Sequence, residues 1–204
     1  MILAIAANPG QKLALEQKGF KESVERRWVS NSYELYMQTT ADALIDCLFM
    51  GSSIPASDKP LLIHSPIHTL EELKAPEKTA RFCAWNSFTE RNLWDIAIQQ
   101  ESNPAWIGAL METLGWQYQL VKDVPGLIAP RVISMIINEA FFALAAGIST
   151  KEDINTAMKL GTNYPFGPFE WAEIIGVKNI NSLLTNLSKT DKRYLPSELL
   201  NSDI

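Results

Sequence analysis

The stretch Asp123-Val-Pro-Gly-Leu-Ile-Ala-Pro-Arg131 separates two parts of the chain that have different sequence patterns. Before it, short apolar runs alternate with helix-forming segments, which is typical of a doubly wound α/β sheet. After it, almost every segment has the apolar spacing of a helix. Because Pro125-Gly126 interrupts regular structure, we predict an α/β domain over residues 1–124 and an all-α domain over residues 125–204.

The strands of the α/β domain are predicted from short apolar runs that end in turn residues. The first of these runs stops at Asn8-Pro-Gly10. The predicted strands are Ile2–Ala6, Arg27–Val29, Ala43–Phe49, Leu61–His64, Arg81–Trp85, Trp94–Ile98 and Gln117–Val121, and helices are predicted at Gln11–Lys18 and Pro104–Leu114. Their alternation favours a mostly parallel, Rossmann-like sheet.

The all-α domain begins with the apolar segment Ile128–Ala146, whose apolar side chains surround the helix instead of forming one stripe. A helix of this kind needs partners on more than one side, so we expect a homodimer through this domain. Thr150 is the expected N-cap of the next helix, and further helices are predicted at Phe169–Ile175 and Asn179–Leu187. The polar tail from Ser188 is expected to be loosely held.

Three segments of the C-terminal half form a signature: Asp123–Arg131, Glu152–Gly161 and Tyr164–Glu170. They resemble the 3-hydroxyacyl-CoA (3-hydroxybutyryl-CoA) dehydrogenases, in which the pattern runs D-x-P-G-F-I-x-N-R, then E-D-I-D-x-A-M-x-x-G, then P-x-G-P-F-E. The resemblance implies a degenerate, Rossmann-like NAD-binding domain, a helical dimerisation domain and a shortened member of the family.

The resemblance also implies a catalytic set whose members are replaced in this chain. The family uses a His as base, a Glu twelve residues later that orients it, and an Asn directly before the Arg of the first motif. The family segment R-x-x-G-x-H-F-F-N-P, followed by L-V-E, is laid on Arg81 and the residues after it; this places Asn86 at the His and Ile98 at the Glu. Pro130 stands at the Asn, and Pro66 stands at a hydroxyl position of an N-T-S motif. None of these side chains exchanges a proton near neutral pH, so we expect a catalytically degraded protein.

The cofactor site is expected to be weak or absent. The fingerprint G-x-G-x-x-G, which lets the main chain approach a pyrophosphate, is missing after the first strand. Asn8 and Gly10 are the residues left to contact a cofactor there, and Pro9 removes one main-chain donor. The helix N-terminus still offers its dipole to an anion. NAD is therefore implied by the resemblance, but we predict that it binds weakly or not at all.

Some residues have two interpretations each. His64 and His68 are either candidate bases or a strand-end pair bonded to the main chain. Cys83 lies in a predicted strand and is either a nucleophile or a small buried side chain. The segment Tyr164–Glu170 is either functional or a structural turn between helices.

Composition argues against several classes of function. The 204 residues carry a net charge of -5 with a pI near 5.1, which disfavours a nucleic-acid-binding protein. No apolar run reaches the roughly 20 residues of a membrane span. Cys47 and Cys83 lack the spacing of a metal site, so no metal is expected, and the absence of a leader sequence favours the cytoplasm.

Three functions are compatible with the sequence. The first is a degraded 3-hydroxyacyl-CoA dehydrogenase that binds acyl-CoA or a nucleotide weakly. The second is an active NAD-dependent 3-hydroxyacyl-CoA oxidoreductase of fatty-acid metabolism that uses an unrecognised base. The third is a non-catalytic dimeric scaffold or regulator. The replaced catalytic positions favour the first.

Overall fold

The computed structural model describes residues 1–51, 53–99 and 102–202. Within them the chain separates into a first unit, Met1–Leu127, and a second unit that begins at Ile128. The boundary predicted after Val124 falls within the last residues of the first unit. Among the helices that the structure describes, none is long and apolar enough to cross a membrane.

The described part of the first unit is built around a seven-stranded sheet. Its strands are β1 (Ile2–Ala6), β2 (Glu25–Val29), β3 (Ala43–Asp46), β4 (Leu61–His64), β5 (Thr79–Phe82), β6 (Leu93–Ile98) and β7 (Gln117–Val121). They lie in the order β2-β1-β3-β4-β5-β6-β7. The helices between them are α1 (Pro9–Lys18), α2 (Ser32–Tyr36) and α3 (Ala105–Leu114). Every predicted strand is present, with ends that differ by a few residues.

The sheet is parallel over its first five strands and reverses at the sixth. The pairs among β1 to β5 are parallel, β5 and β6 are antiparallel, and β6 and β7 are again parallel. A parallel neighbour requires a long crossover, whereas the chain returns from β5 to β6 through a turn at residues 86–90. The predicted Rossmann-like sheet is therefore confirmed, with two strands that run in the opposite direction.

Apolar side chains cover both faces of the sheet, as a doubly wound fold requires. Leu3 and Ile5 of β1 belong to the core cluster that includes α1 and α3. Ala4 and Ala6 point to the other face, where they join the cluster of Leu35 from α2. The alternation along one strand thus places helices on both sides.

Two local features of the first unit differ from the prediction. β3 ends at Asp46 instead of Phe49, because Asp46 Oδ1 accepts a hydrogen bond from the Leu48 N–H (3.0 Å) and the chain turns there. The short helix α2 was not predicted, and it begins where Asn31 Oδ1 accepts a hydrogen bond from the Glu34 N–H (2.8 Å). Both differences arise from side chains that bind nearby main-chain amides.

The second unit, as far as it is described, is helical, which confirms the all-α prediction. Its elements are α4 (Ala129–Ala145), α5 (Lys151–Thr162), α6 (Pro168–Ile175), α7 (Val177–Ser188), a 3-10 turn (Lys192–Tyr194) and α8 (Glu198–Ser202). Thr150 caps α5 as predicted, because its Oγ1 accepts a hydrogen bond from the Asp153 N–H (3.2 Å).

The tail after Ser188 is packed, contrary to the prediction. Ser197 and Leu200 are almost completely buried. Asn138 of α4 holds this segment, since its Nδ2 donates to the Leu195 carbonyl (2.9 Å) and its Oδ1 accepts from the Ser197 N–H (2.8 Å). A buried amide far away along the chain thus anchors a segment whose own composition is polar.

Candidate functional site

The parallel strands end together at one edge of the sheet, which is where open α/β folds bind their ligands. From β1 the chain proceeds to β2 on one side and then to β3 on the other side of β1, so the strand order reverses between β1 and β3. The last residues of these strands, Ala6 and Asp46, are partners across the sheet. A dinucleotide binds beyond such a point in folds of this kind, and we call this place the switch-point crevice.

The turn between β1 and α1 caps the helix with its own side chains. Asn8 Oδ1 accepts a hydrogen bond from the Gln11 N–H (2.9 Å), and Gln11 Oε1 accepts one from the Asn8 N–H (3.0 Å). Pro9 has no N–H to offer, and the Lys12 N–H binds the Asn8 carbonyl (2.9 Å). Among the first-turn amides of this described turn, the Gly10 N–H is the one that donates no hydrogen bond to a protein group.

Gly10 does not occupy a position that needs glycine. A Cβ placed there would meet Asn8 Oδ1 at 3.4 Å, which is an ordinary contact. Counted from the end of β1, the spacing G-x-G-x-x-G falls on Ala6, Asn8 and Gln11. The third glycine of that fingerprint serves close packing of the helix, and here the position carries a long amide side chain.

Gln11 and His64 hold the main chain of Ala84 from two sides. Gln11 Nε2 donates to the Ala84 carbonyl (2.9 Å) and to the Cys47 carbonyl (3.2 Å). His64 Nδ1 accepts a hydrogen bond from the Ala84 N–H (2.9 Å). Burial lowers the pKa of His64 to about 4, so its imidazole is neutral at neutral pH.

The loop after β4 carries two more of the predicted site residues. Pro66 is buried, and its carbonyl accepts a hydrogen bond from the Gly126 N–H (2.7 Å). The hydroxyl of the neighbouring Ser65 donates to the His68 carbonyl (2.8 Å). The side chain of His68 is half-exposed, with Nδ1 3.6 Å from Glu72 Oε2. The hydroxyl of this loop therefore stabilises the loop itself.

Asp46 ends β3 as a fully buried side chain at the border of the switch-point crevice. Its oxygens accept hydrogen bonds from Ser32 Oγ (3.0 Å), Tyr36 Oη (2.8 Å) and the Leu48 N–H (3.0 Å). Desolvation nevertheless raises the pKa of Asp46, and it also raises the pKa of Tyr36. An acidic group at this place disfavours a second negative charge beside it.

Asn86 and Ile98 lie at opposite ends of the β5–β6 pair. Ile98 is the partner of Ala80 near the start of β5, whereas Asn86 lies in the exposed turn after β5. Ile98 also packs against the core that includes α1 and α3. A base and the acid that orients it must be within hydrogen-bond reach, so the register does not support these two positions as such a pair.

The register brings Cys83 and Asp95 together instead. Ala80 pairs with Ile98 and Arg81 with Ala97, and continuing this register places Cys83 opposite Asp95. The charge of Asp95 acts on the Cys83 thiol.

The family spacing fits this pair as well. Cys83 and Asp95 are twelve residues apart, and Leu93-Trp94-Asp95 resembles the family's L-V-E. Asn86 then corresponds to the Asn of H-F-F-N-P, which is three residues after the His. The sequence analysis matched Asn86 to the His, whereas a match that starts from L-W-D assigns Cys83 to that position.

Cys83 and Asp95 are both buried. Gln119 Nε2 donates to Asp95 Oδ1 (2.6 Å), and Arg91 Nη1 lies 3.8 Å from Asp95 Oδ2. Burial is the main cause that raises the pKa of the Cys83 thiol. A thiol that stays protonated at neutral pH cannot serve as a general base there.

Pro130 belongs to the second unit, where it lies buried in the first turn of α4. Proline suits this turn because its missing N–H would have had no partner within the helix. It offers no side-chain amide. Over the described residues of both units, no three His, Cys, Asp or Glu side chains are grouped so that they could hold a metal ion.

The fold and the edge of the sheet define an α/β protein of the Rossmann-like class with a helical second unit. The crystal structure of (S)-3-hydroxybutyryl-CoA dehydrogenase from Ralstonia eutropha has the same fold, with a TM-score of 0.72 over 98% of this chain and 92% of that chain at 16% identity. The crystal structure of 3-hydroxybutyryl-CoA dehydrogenase from Escherichia coli gives a TM-score of 0.60 at 30% identity, over 70% of this chain and 31% of that chain.

Sequence comparison relates residues 126–203 to one protein family. The family model described as "3-hydroxyacyl-CoA dehydrogenase, C-terminal domain" matches residues 126–203. The 3-hydroxyadipyl-CoA dehydrogenase of Escherichia coli is 45% identical over 82 residues, which are 39% of this chain and 17% of that protein. The 3-hydroxybutyryl-CoA dehydrogenase of Bradyrhizobium diazoefficiens is 38% identical over 89 residues, which are 43% of this chain and 30% of that protein. Residues 126–203 are thus similar to the C-terminal domain of the 3-hydroxyacyl-CoA dehydrogenases, and the chain matches 17% and 30% of the length of these two curated relatives.

Proposed function

We propose that this chain is a 3-hydroxyacyl-CoA dehydrogenase family protein that does not transfer hydride. The observation that supports the proposal is Cys83, which the continued strand register sets opposite Asp95 and which we assign to the position of the family's base by its spacing of twelve residues. A buried thiol with a raised pKa stays protonated. The proton of a substrate 3-hydroxyl would therefore find no acceptor there.

The switch-point crevice supports the same proposal. NAD is the hydride acceptor that the family resemblance implies, and Rossmann-like folds hold its pyrophosphate with glycines and helix N-terminal amides. Here the Asn8 and Gln11 side chains bind each other's main chain, and Gln11 fills the space beside it. These residues do not fit a dinucleotide, and we propose that NAD binds weakly or not at all.

NADH consumption with acetoacetyl-CoA tests the proposal. We expect the wild-type chain to give no absorbance change above the buffer rate, with the Ralstonia eutropha enzyme as positive control. Cys83→His places an imidazole opposite Asp95 and is also expected to be inactive, because hydride transfer needs cofactor and base together. Turnover by the wild-type chain would overturn the proposal. Turnover by Cys83→His alone would show that the base was the sole defect.

We propose acyl-CoA as the ligand class of any retained function. Support comes from residues 126–203, which match the family model and whose relatives are named for hydroxyacyl-CoA compounds. A ligand that binds the native state raises the melting temperature by mass action. We therefore expect acetoacetyl-CoA to raise it and NADH to leave it unchanged, with CoA alone as the control for the acyl group.

The proposal also includes the oligomeric state of the protein and its cellular compartment. We propose a homodimer through the helical unit, which would by itself suffice for a scaffold or regulator. We also propose the cytoplasm as its compartment, because Cys47 and Cys83 are buried and form no disulfide, which suits a reducing environment.

A further inference from the structure

Gln11 spans the switch-point crevice from helix α1 to the ends of two strands. Its Nε2 donates to the Cys47 carbonyl directly after β3 and to the Ala84 carbonyl beyond β5. Its Oε1 accepts the Asn8 N–H. A glutamine amide has two N–H donors, and both are used on main-chain carbonyls. With 6% of its surface exposed, this side chain is part of the interior of the unit.

A dinucleotide would need room, donors and no competing negative charge in this crevice. The room beside the helix start is taken by the Gln11 side chain. The first-turn donors are reduced, because Asn8 Oδ1 accepts the Gln11 N–H and Pro9 has none. Asp46, the strand partner of Ala6, adds a buried acid. Gln11 thus takes the room, Asn8 and Pro9 reduce the donors, and Asp46 adds the competing acid.

The same contacts join parts of the chain that are far apart in sequence. Gln11 connects the turn after β1 with the end of β3 and with the Ala84 carbonyl beyond β5, and His64 connects the end of β4 with the N–H of the same residue, Ala84. Unpaired buried amides and carbonyls are costly, so removing the Gln11 amide would leave the carbonyls of Cys47 and Ala84 without this donor.

We infer that Gln11 has converted the dinucleotide crevice into a structural joint, which closes the crevice and fastens the turn after β1 to the ends of β3 and β5. The inference deepens the proposed function and rests on it in one respect, namely that no cofactor has to enter this place. It makes Gln11 a residue of the fold in a position where dinucleotide-binding Rossmann folds use glycine to pack the helix closely against the strand.

Thermal melting of three variants tests the joint. Gln11→Ala removes the side chain, and Gln11→Glu keeps its size but replaces the two donors by an acceptor. Gln17→Ala is the matched control, because Gln17 is exposed on the same helix. We expect both Gln11 variants to melt about 5 °C below the wild-type chain and Gln17→Ala to stay within about 1 °C. A Gln11→Ala protein that melts like Gln17→Ala would overturn the joint.

NADH binding tests the closure. Isothermal calorimetry of wild-type chain and Gln17→Ala with NADH is expected to show no binding at millimolar concentration. Binding by the wild-type chain that Gln11→Ala weakens would overturn the inference, because Gln11 would then face the ligand. The NADH-consumption assay separates the two ideas: NADH binding without turnover refutes the closed crevice and the proposed weak NAD binding but not the proposed absence of hydride transfer, which only turnover refutes.

Discussion

Arg81 and Asp123 form a buried ion pair: the Arg81 side chain has no exposed surface, and its Nε donates to Asp123 Oδ1. The other oxygen of Asp123 accepts the Leu70 N–H (2.8 Å), and Arg81 also donates to the carbonyls of Ser65 (2.9 Å) and Val124 (2.5 Å). The first residues of the D-x-P-G signature thus fasten the end of the first unit to β5 and to the loop after β4. Their presence in the signature is explained by structure.

Asp123→Asn is expected to lower the free energy of unfolding by about 3–5 kcal/mol, because it leaves the Arg81 guanidinium buried without its counter-charge. Urea denaturation followed by circular dichroism measures the loss. Glu25→Gln is the matched control, since Glu25 pairs with Arg27 on the surface and should change stability by less than about 1 kcal/mol. Equal stability of the two variants would contradict a structural role for the buried pair.

Gly167→Ala is expected to destabilise the second unit by about 2 kcal/mol, because the new methyl group overlaps a fixed neighbour. A Cβ at Gly167 would lie 2.3 Å from Asn155 Oδ1 and 2.5 Å from Asn155 Cβ. Asn155 cannot move away without giving up the hydrogen bond that its Oδ1 accepts from the Phe169 N–H (3.0 Å) at the start of α6.

Gly161→Ala is the control for this change, since a Cβ at Gly161 of α5 meets nothing within 4 Å. Alanine there should leave stability unchanged or raise it by about 0.5 kcal/mol through helix propensity. The urea concentrations at the unfolding midpoints of the two variants measure this difference in stability. If Gly167→Ala is as stable as Gly161→Ala, the P-x-G-P-F-E segment is not a structural turn that depends on this glycine.

The buried His64 is expected to make the free energy of unfolding decrease as the pH is lowered from 6.5 to about 4. The pKa of His64 is lowered from 6.5 to about 4 in the native protein, so over this interval the unfolded chain takes up a proton and the native chain does not. The stabilisation is complete above pH 6.5 and is lost as the pH falls, by up to about 3 kcal/mol at ~1.4 kcal/mol per pH unit.

Unfolding free energies measured across this pH range test the expectation. His64→Gln should remove this part of the slope, whereas His68→Gln should keep it, because His68 is half-exposed and its imidazole lies beside Glu72. A wild-type slope that survives in His64→Gln would assign the acid sensitivity to other groups.

The sequence predicted those parts of the fold that depend on local patterns. The run Ile2–Ala6 gave a strand because it is apolar and ends in turn residues, and Thr150 gave a helix start because its hydroxyl caps a nearby amide. Helix α2 (Ser32–Tyr36) was not predicted, because so short a segment shows no helical period. The packing of the tail was not predicted, because Asn138, which binds it, lies far away along the chain.

The candidate site depends on strand register and long-range contacts, which local sequence patterns do not reveal. Matching letters placed the base at Asn86, whereas the antiparallel register of β5 and β6 indicates Cys83 opposite Asp95. The sequence does not indicate the role of Gln11, since glutamine is a common residue in helices. Its role became visible through its two carbonyl partners, Cys47 and Ala84.

Cys47 and Cys83 are expected to resist alkylation in the native protein. Both are buried, and burial raises the pKa of each thiol, so little thiolate is present at pH 8. Iodoacetamide followed by intact mass measurement should add no adduct to the native chain and two adducts after denaturation. Rapid native labelling at Cys83 would contradict its burial and would weaken the argument that it cannot act as a base.

The helical unit is expected to form a homodimer. Helix α5 has no buried residue along Lys151–Thr162, and Leu160 on it is 82% exposed in the single chain. On α4, Val132 and Phe142 are also exposed. Apolar side chains left in water at this density favour association, and a two-fold axis lets one copy cover the same surface of another.

Light scattering at micromolar concentration should therefore give twice the 22.8 kDa of one chain. Leu160→Glu should shift the protein towards the monomer, because a carboxylate would have to be desolvated in the interface. Met50→Glu is the matched control, since Met50 is equally exposed but lies in the first unit. A wild-type monomer would remove the homodimer and, with it, the scaffold as a function of this chain.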